Sequence, residues 1–248
     1  MKLGIAQVRS ANELSANLDM ISDVLGRLPH ADLVVFPEYA VLCADNRTMV
    51  ANARTAGEWI SLLAPIAQSH GLAYAVAGLP TLEDNAIYND FLVLDATGSC
   101  LACYHKRHIF PWPSPSASGP DEATLFKPGR QPVSLELAGL RLGLTTCFDL
   151  RFANVFQDLQ GCDAFLCPSA FSTITGPVHW KLLLQARAVE FQSWVVGIGA
   201  PAPYYGHSLA ATPWGDIAWE ANHDKDEIHL LDIDKGIVDE TRRRLPMT

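Results

Sequence analysis

Six cysteines are the residues most able to do covalent chemistry in this chain, and one of them sits where a strand turns. In Leu142-Gly-Leu-Thr-Thr-Cys-Phe-Asp-Leu-Arg-Phe152, the run from Leu142 to Thr146 reads as a short buried strand, apolar or small throughout. Phe152, Val155, Phe156 and Leu159 then recur at helical spacing. Cys147 is thereby placed on the sharp connection between the two. At such a bend a side chain projects into a cleft, and the backbone N–H groups behind it face whatever bonds to it. A helix N-terminus there would lower the thiol pKa, because it favours the thiolate. On these residues alone, Cys147 fits equally well as one more buried cysteine packed as a small hydrophobe.

Two more ionisable residues stand at strand ends. Glu38 closes the apolar run Leu33-Val-Val-Phe36, just after Pro37, and Lys106 follows the strand that ends at Tyr104. Covalent catalysis by a thiol takes the nucleophile, a proton carrier and a group that holds developing negative charge. Cys147, Glu38 and Lys106 are residue types that suit those roles, although a glutamate or lysine at a strand end is by itself usually just solvated. His105, His108, His179 and His207 leave a Cys–His hydrolase open as the rival. His179 precedes an apolar helical face (Trp180, Leu183, Leu184), which assigns it to packing near that helix's start. His105 alternates to the side opposite Lys106 if the strand persists.

The elements that must position these residues follow from periodicity. Leu3 to Val8 reads as a strand, and Leu14, Leu18, Ile21, Leu25 and Leu28 mark one face of a helix. After the strand ending at Phe36, a second helix carries Trp59, Leu62, Leu63 and Ile66 and is stopped by Gly71. Leu72 to Ala77 is a third strand, and Ile87–Leu94 and Ser99–Tyr104 form a hairpin around Asp95-Ala-Thr-Gly98. Between 107 and 130 the pattern lapses into Phe110-Pro-Trp-Pro-Ser-Pro and Pro128-Gly129, a loop long enough to be functional or disordered. The second half repeats the order: strand Leu140–Thr146, helix, strand Ala164–Cys167, helix Val178–Gln192, strand Trp194–Ile198, and hairpin strands around Pro213-Trp-Gly-Asp216. A last strand, Glu227 to Ile233, precedes a short terminal helix. Two such halves, each a mixed sheet with helices on one face, bury their bare faces together as a four-layer α-β-β-α sandwich of the α/β class. Residues 1–248 read as a single domain, with catalytic groups collecting at strand ends where the halves meet.

The 248 residues are 49% hydrophobic and 18% charged, with a net charge of −9. No stripe of Lys and Arg offers a nucleic-acid surface, and the only basic run, Arg242-Arg243-Arg244, fits a solvated helix end. Any positive partner for an anionic substrate must therefore be local. No apolar run approaches a membrane span, and Leu3 to Val8 is interrupted too early for a signal-peptide core. The expectation is a soluble, cytoplasmic protein. Cys100-x-x-Cys103 invites a zinc or redox reading. It lacks a second Cys/His pair at zinc spacing and alternates like a strand, so it reads as reduced thiols packed as small hydrophobes. No metal site is expected.

Taken together and in order, these local contexts resemble the nitrilase superfamily of carbon–nitrogen hydrolases over essentially the whole chain. Phe36-Pro-Glu-Tyr39 is similar to its glutamate motif, His105-Lys-Arg-His-Ile-Phe110 to its lysine motif, and Thr146-Cys-Phe-Asp-Leu-Arg-Phe152 to its cysteine motif. Glu122, in Glu-Ala-Thr-Leu-Phe-Lys-Pro-Gly129, matches a second glutamate often present in such sites. Pro168-Ser-Ala-Phe171, Thr175-Gly-Pro-Val-His-Trp180, Ala186-Arg-Ala-Val-Glu190, Tyr205-Gly-His-Ser208 and Pro213-Trp-Gly215 resemble the branch of omega-amidases and deaminated-glutathione amidases. Two departures bear on substrate choice: Phe152 is followed by Ala153-Asn154, and Ala200-Pro-Ala-Pro-Tyr-Tyr205 is short and Pro-rich.

The resemblance implies an amidase of a small carboxylated substrate that needs water and no cofactor. Cys147 would be the nucleophile, Glu38 the proton carrier and Lys106 the charged oxyanion partner beside the Phe148 N–H. Glu122 would orient Lys106 or the bound amide. N-carbamoyl acids, other aliphatic amides and nitriles are alternative substrates. A catalytically silent scaffold of the same fold is the alternative of another class. Arg151 either grips a substrate carboxylate or pairs with Asp149 or another acid and holds the loop; sequence proximity favours the pair. Pocket-lining residues that set specificity are expected in 107–121, 170–175 and 200–206. A homodimer or higher homo-oligomer is also expected. The helix Val178–Gln192 is apolar well beyond one stripe, Phe152–Leu159 adds two phenylalanines, and family members commonly pair through helices of this region.

Overall fold

Strand side chains alternate between two destinations in a computed structural model of the chain, which describes residues 1–111, 120–222 and 224–247. In chain order the elements are β1 (Lys2–Gln7), α1 (Leu14–Arg27), β2 (Leu33–Glu38), α2 (Asn46–Ala51), α3 (Ala56–His70), β3 (Tyr74–Glu83), β4 (Ala86–Leu94), β5 (Cys100–His105) and α4 (Glu122–Leu125). There follow β6 (Ser134–Leu137), β7 (Leu140–Leu144), a 3-10 turn (Cys147–Arg151), α5 (Ala153–Gln157), β8 (Ala164–Ser169) and α6 (Gly176–Phe191). The chain ends with β9 (Trp194–Gly199), β10 (Leu209–Ala211), β11 (Ile217–Glu220), β12 (Glu227–Asp232) and α7 (Lys235–Arg244).

The two sheets run β12-β1-β2-β3-β4-β5 and β11-β10-β9-β8-β7-β6. At the centre of each the strands are parallel, β1–β2–β3 and β7–β8–β9, and antiparallel pairs close the flanks. Leu33 and Val35 of β2, Ala75 and Ala77 of β3, Leu142 and Leu144 of β7, and Ala164 and Leu166 of β8 share one core between the sheets. The alternate residues face outward. Val34, Phe36, Tyr74 and Val76 pack on α1 and α3, and Phe165 and Cys167 pack on α5 and α6. This is the expected four-layer sandwich, with the period-2 pattern assigning each residue to a layer.

Four local readings change. β12 does not stay with the second half: it pairs antiparallel with β1, Leu3 opposite Leu231, so the chain's end completes the first sheet. β6 goes unmarked in the sequence pattern, and β3 runs on to Glu83. There Asp84 and Asn85, both at positive φ, make the tight turn into β4. The helix expected from Phe152 to Leu159 is only α5, behind the 3-10 turn. Most of the Pro- and Ser-rich stretch, residues 112–119, lies outside the described residues.

The outer helices divide as an amphipathic helix must. Trp180, Leu184 and Ala188 of α6 are buried against the second sheet, whereas Val178 and Leu182 are 67% and 64% exposed. Val189, Ile174 and Trp214 add further apolar surface. Phe156, expected to contribute to that surface, is fully buried under α5 instead. Among the described residues no helix is long and apolar enough to cross a membrane.

Candidate active site

Glu38 ends β2 at an irregularity that follows from its neighbour. Pro37 has no N–H for the ladder, and the β2–β3 register shifts between Val35 and Glu38. Tyr39 then turns into the left-handed region at φ 65°, its N–H donating to Ala77 O at 2.9 Å. Gly78 makes room for that turn, because a Cβ there would lie 2.4 Å from Tyr39 N. The Glu38 carboxylate is fully buried and gripped from both sheets. Its Oε1 accepts from Lys106 Nζ at 2.9 Å and Asn89 Nδ2 at 3.0 Å, and its Oε2 accepts from Ala170 N, just after β8, at 3.0 Å.

Lys106, one residue beyond β5, is also fully buried, and its ammonium also reaches Glu122 at 2.8 and 2.7 Å. Glu122 opens α4. It is fixed by Tyr39 Oη at 2.8 Å and by Phe110 N at 3.0 Å. Burial works against the Lys106 charge, but Glu122 and Glu38 outweigh it and hold the lysine pKa well above its ordinary range. Burial raises the Glu122 pKa, and Lys106 offsets only part of that rise.

Cys147 follows β7 at φ 45°, a left-handed conformation that costs a non-glycine residue on the order of 1 kcal/mol or more. Thr146 before it donates its N–H to Asp149 at 3.1 Å, and Asp149 also accepts from Tyr104 Oη at 2.7 Å and from His108 N and Nδ1 at 2.9 Å. One fully buried carboxylate thus ties the cysteine-bearing turn to the segment carrying Lys106. Behind the turn, Arg187 of α6 donates to Leu150 O at 3.2 Å and pairs with Glu190 at 2.7 Å.

The expected lowering of the thiol pKa does not occur. Burial pushes the Cys147 thiol well above its ordinary value, and the Glu38 charge adds to the rise while Lys106 opposes it. The reason is a charge count. Two carboxylates face one ammonium, so a thiolate would be a second uncompensated negative charge, and a five-residue 3-10 turn is too short to compensate. Burial and the Glu38 charge thus favour the neutral Cys147 thiol over its thiolate.

Cys147, Phe148, Glu122, Tyr39 and Arg151 line one pocket. Phe110 and Pro120, Ala170, Phe171, Ser172 and Thr175, and Tyr204 complete the lining, so each of the three expected segments contributes. Residues 112–119 of the first segment fall outside the described residues. Arg151 does not pair with Asp149. Its guanidinium meets His179 Nδ1 at 2.8 Å and Thr175 Oγ1 at 3.0 Å, over the ring of Phe171. Among the described residues it forms no salt bridge, which leaves a pocket-lining cation without an acid. The Cys–His alternative loses its histidines: His105 faces Asp90 and Glu83, His108 faces Asp149, His179 faces Arg151, and His207 faces Glu220.

Sequence reasoning gave no role to Asn89 or Tyr39 and considered Asp149 only as a partner for Arg151. Asn89 left a signal, as a polar residue in a strand whose continuation, Phe91 to Leu94, is wholly apolar and buried. Asp149 left one too, since it lies between Cys147 and Arg151 in the cysteine motif, but only the fold shows that its partners are Tyr104 and His108.

The carbon–nitrogen hydrolase family matches residues 2–243, and the chain belongs to it. It is therefore an enzyme acting on C–N bonds other than peptide bonds. It is 28% identical over 267 residues to the deaminated glutathione amidase of Dictyostelium discoideum, covering 99% of this chain and 92% of that one. It is 30% identical over 220 residues to a human omega-amidase, covering 86% and 75%. The crystal structure of Saccharomyces cerevisiae Nit3, a member of branch 10 of the nitrilase superfamily, superposes with a TM-score of 0.86 at 25% identity, covering 100% and 95%.

Proposed function

We propose that this chain is a cysteine-dependent amidase that releases ammonia from a small carboxylated amide through a thioester acyl-enzyme. The observation that carries this reading is the contact of Glu38, Lys106 and Glu122, all buried, behind a pocket whose wall includes Cys147. As the sulfur bonds to the amide carbon, its proton passes to Glu38, so the thiolate never has to exist free in the resting site. Lys106, exchanging one Glu122 contact, and the Phe148 N–H hold the oxyanion. The C–N bond then breaks, Glu38 gives its proton to the leaving nitrogen, and ammonia departs. Glu38 next takes a proton from water, the hydroxide carbon–oxygen bond forms, and the C–S bond breaks with return of the proton to sulfur. Glu122 holds Lys106 in place throughout.

Arg151 supplies the local positive partner that an acidic protein needs for an anionic substrate, and here it binds the substrate's carboxylate. Ammonia release across ω-amides, N-carbamoyl acids, aliphatic amides and nitriles tests the reading, with carboxylated ω-amides expected to turn over best. Arg151→Leu should raise KM for such an amide about 10- to 150-fold, the worth of a charge-assisted hydrogen bond, with little change for an uncharged amide of the same length. Equal losses on both substrates would remove Arg151 from the carboxylate site.

Residues 1–248 act as one domain in this reading, supported by the pairing of β12 with β1. A cytoplasmic setting is supported by six cysteines that are all free. The working unit is a homodimer, supported by the exposed apolar residues Ile174, Val178, Leu182, Val189 and Trp214, of which Leu182, Val189 and Trp214 line one surface hollow. Sedimentation velocity at micromolar concentration should show at least twice the 27.0 kDa chain mass, and a single species at that mass would refute the dimer.

A further inference from the structure

We propose that Asp90, Cys103 and His105 form a binding site for one zinc-like divalent cation on the outer face of the first sheet, separate from the pocket that holds Cys147. Cys103 and His105 stand two residues apart on the edge strand β5 and so share a face, and Asp90 of β4 lies directly opposite His105 in the ladder. Cys103 Sγ lies 3.2 Å from Asp90 Oδ2, His105 Nδ1 is in contact with Asp90 Oδ1, and one donor atom from each residue lies within 4.8 Å of the others. Neighbouring ligand atoms around a tetrahedral zinc with sulfur, nitrogen and oxygen ligands are separated by about 3.5 Å, so small side-chain rotations suffice.

The set also has the support that a ligating histidine needs. A metal-bound imidazole donates its other ring N–H to a carboxylate or carbonyl, and Glu83 Oε2 lies 3.2 Å from His105 Nε2. The Tyr88 ring stacks on the same imidazole with centroids 4.4 Å apart, which fixes its plane. The Asp90 side chain is 1% exposed, and Cys103 and His105 open onto a surface pocket that leaves an entry path and a fourth position for water. A thiolate and two carboxylates exceed a dication by one charge, and Lys127 and Arg130 line the same pocket to offset it. Thiolate, imidazole and carboxylate together favour zinc or cobalt over magnesium or calcium. Cys103 gives its proton to the buffer on binding.

Sequence reasoning weighed zinc only for Cys100 with Cys103 and set it aside. Cys100 is exposed, and the partners of Cys103 come from strand pairing rather than from the neighbouring sequence. The bound ion would cross-link β4 and β5 one residue before Lys106 and one residue after Asn89, the two residues that contact Glu38 Oε1.

Cobalt(II) titration of the full chain, stripped with chelator and kept reduced with a phosphine, tests the proposal. One equivalent should bind with a thiolate-to-cobalt charge-transfer band and the intense visible bands of tetrahedral cobalt, and zinc should bleach both. Cys103→Ser, checked for folding by circular dichroism, should lose the charge-transfer band, while Cys100→Ser and Cys147→Ala keep it. If Cys103→Ser does not fold, zinc X-ray absorption of the unmutated chain takes its place, with one sulfur at about 2.3 Å expected among nitrogen and oxygen ligands. No saturable binding at micromolar metal, a band that survives Cys103→Ser or vanishes in Cys100→Ser, or a zinc shell without one sulfur would overturn it.

Discussion

Glu38→Gln should lose about 10²- to 10⁴-fold in turnover while its Cys147 thiol titrates at lower pH than in the unmutated chain. The two effects pull apart because Glu38 has two relations to the sulfur. In the proposed mechanism it is the base that accepts the thiol proton, a contribution of about that size. As a fixed negative charge it is, after burial, the largest influence raising the thiol pKa. Glutamine removes both. The variant therefore has a more easily ionised nucleophile and a slower reaction, which separates proton transfer from simple thiolate supply. The thiol titration is read as the ultraviolet thiolate absorbance that disappears in Cys147→Ala. Glutamine can keep the contacts of Oε1 with Lys106 and Asn89, but its NH₂ then faces the Ala170 N–H, a donor against a donor, costing about 1–3 kcal/mol of stability. A loss of turnover below about tenfold, roughly 1.4 kcal/mol, would remove Glu38 from the base role. Replacing Lys106 is a poorer test. Its removal leaves Glu38 and Glu122 buried without a counter-charge, so lost activity and lost folding would arrive together.

What could be read from the sequence follows the range of the interactions. The strand ends carrying Glu38, Lys106 and Cys147 are set by local periodicity, and the inner and outer layers by alternation, so both are legible in the order of residues. Partners across the fold are not. Arg151 was matched to Asp149 because the two are close in sequence. In a 3-10 turn with three residues per turn, however, residues two apart point to different sides, and Arg151 turns to His179 and Thr175 while Asp149 turns to Tyr104 and His108. The thiol pKa was misjudged for a related reason. The backbone dipole is local and visible, whereas the excess carboxylate is assembled from β2 and α4 and appears only when they meet. β12 escaped the half-by-half reading because an antiparallel edge pair can join any two distant strands whose patterns match. Glu122 sits in a short helix with no periodicity of its own, and only its resemblance to a family motif marked it.

Cys147→Ala should fall by on the order of 10⁴-fold or more, to background, with its melting temperature nearly unchanged. The substitution removes one buried sulfur and leaves a β-carbon at the same φ of 45°, so the strain of the turn is neither relieved nor increased. The network through Asp149 involves no atom of the Cys147 side chain, and the positions of Lys106 and Phe148 should persist. Any retained turnover would thus come from another thiol. The candidates are poor: burial pushes Cys162 and Cys167 up to about 11, and neither lines the pocket. With a slow substrate the unmutated chain should accumulate an adduct on Cys147 alone, found by peptide mass mapping. Its mass distinguishes the chemistry. A thioester from an amide adds the substrate mass less one ammonia, because the C–N bond has already broken. A thioimidate from a nitrile adds the whole substrate, because no group has left. An adduct of the first kind on Cys147, absent from Cys147→Ala, is the expected result. Full activity in that variant would end the assignment of Cys147 as nucleophile, and with it the roles given to Glu38 and Lys106.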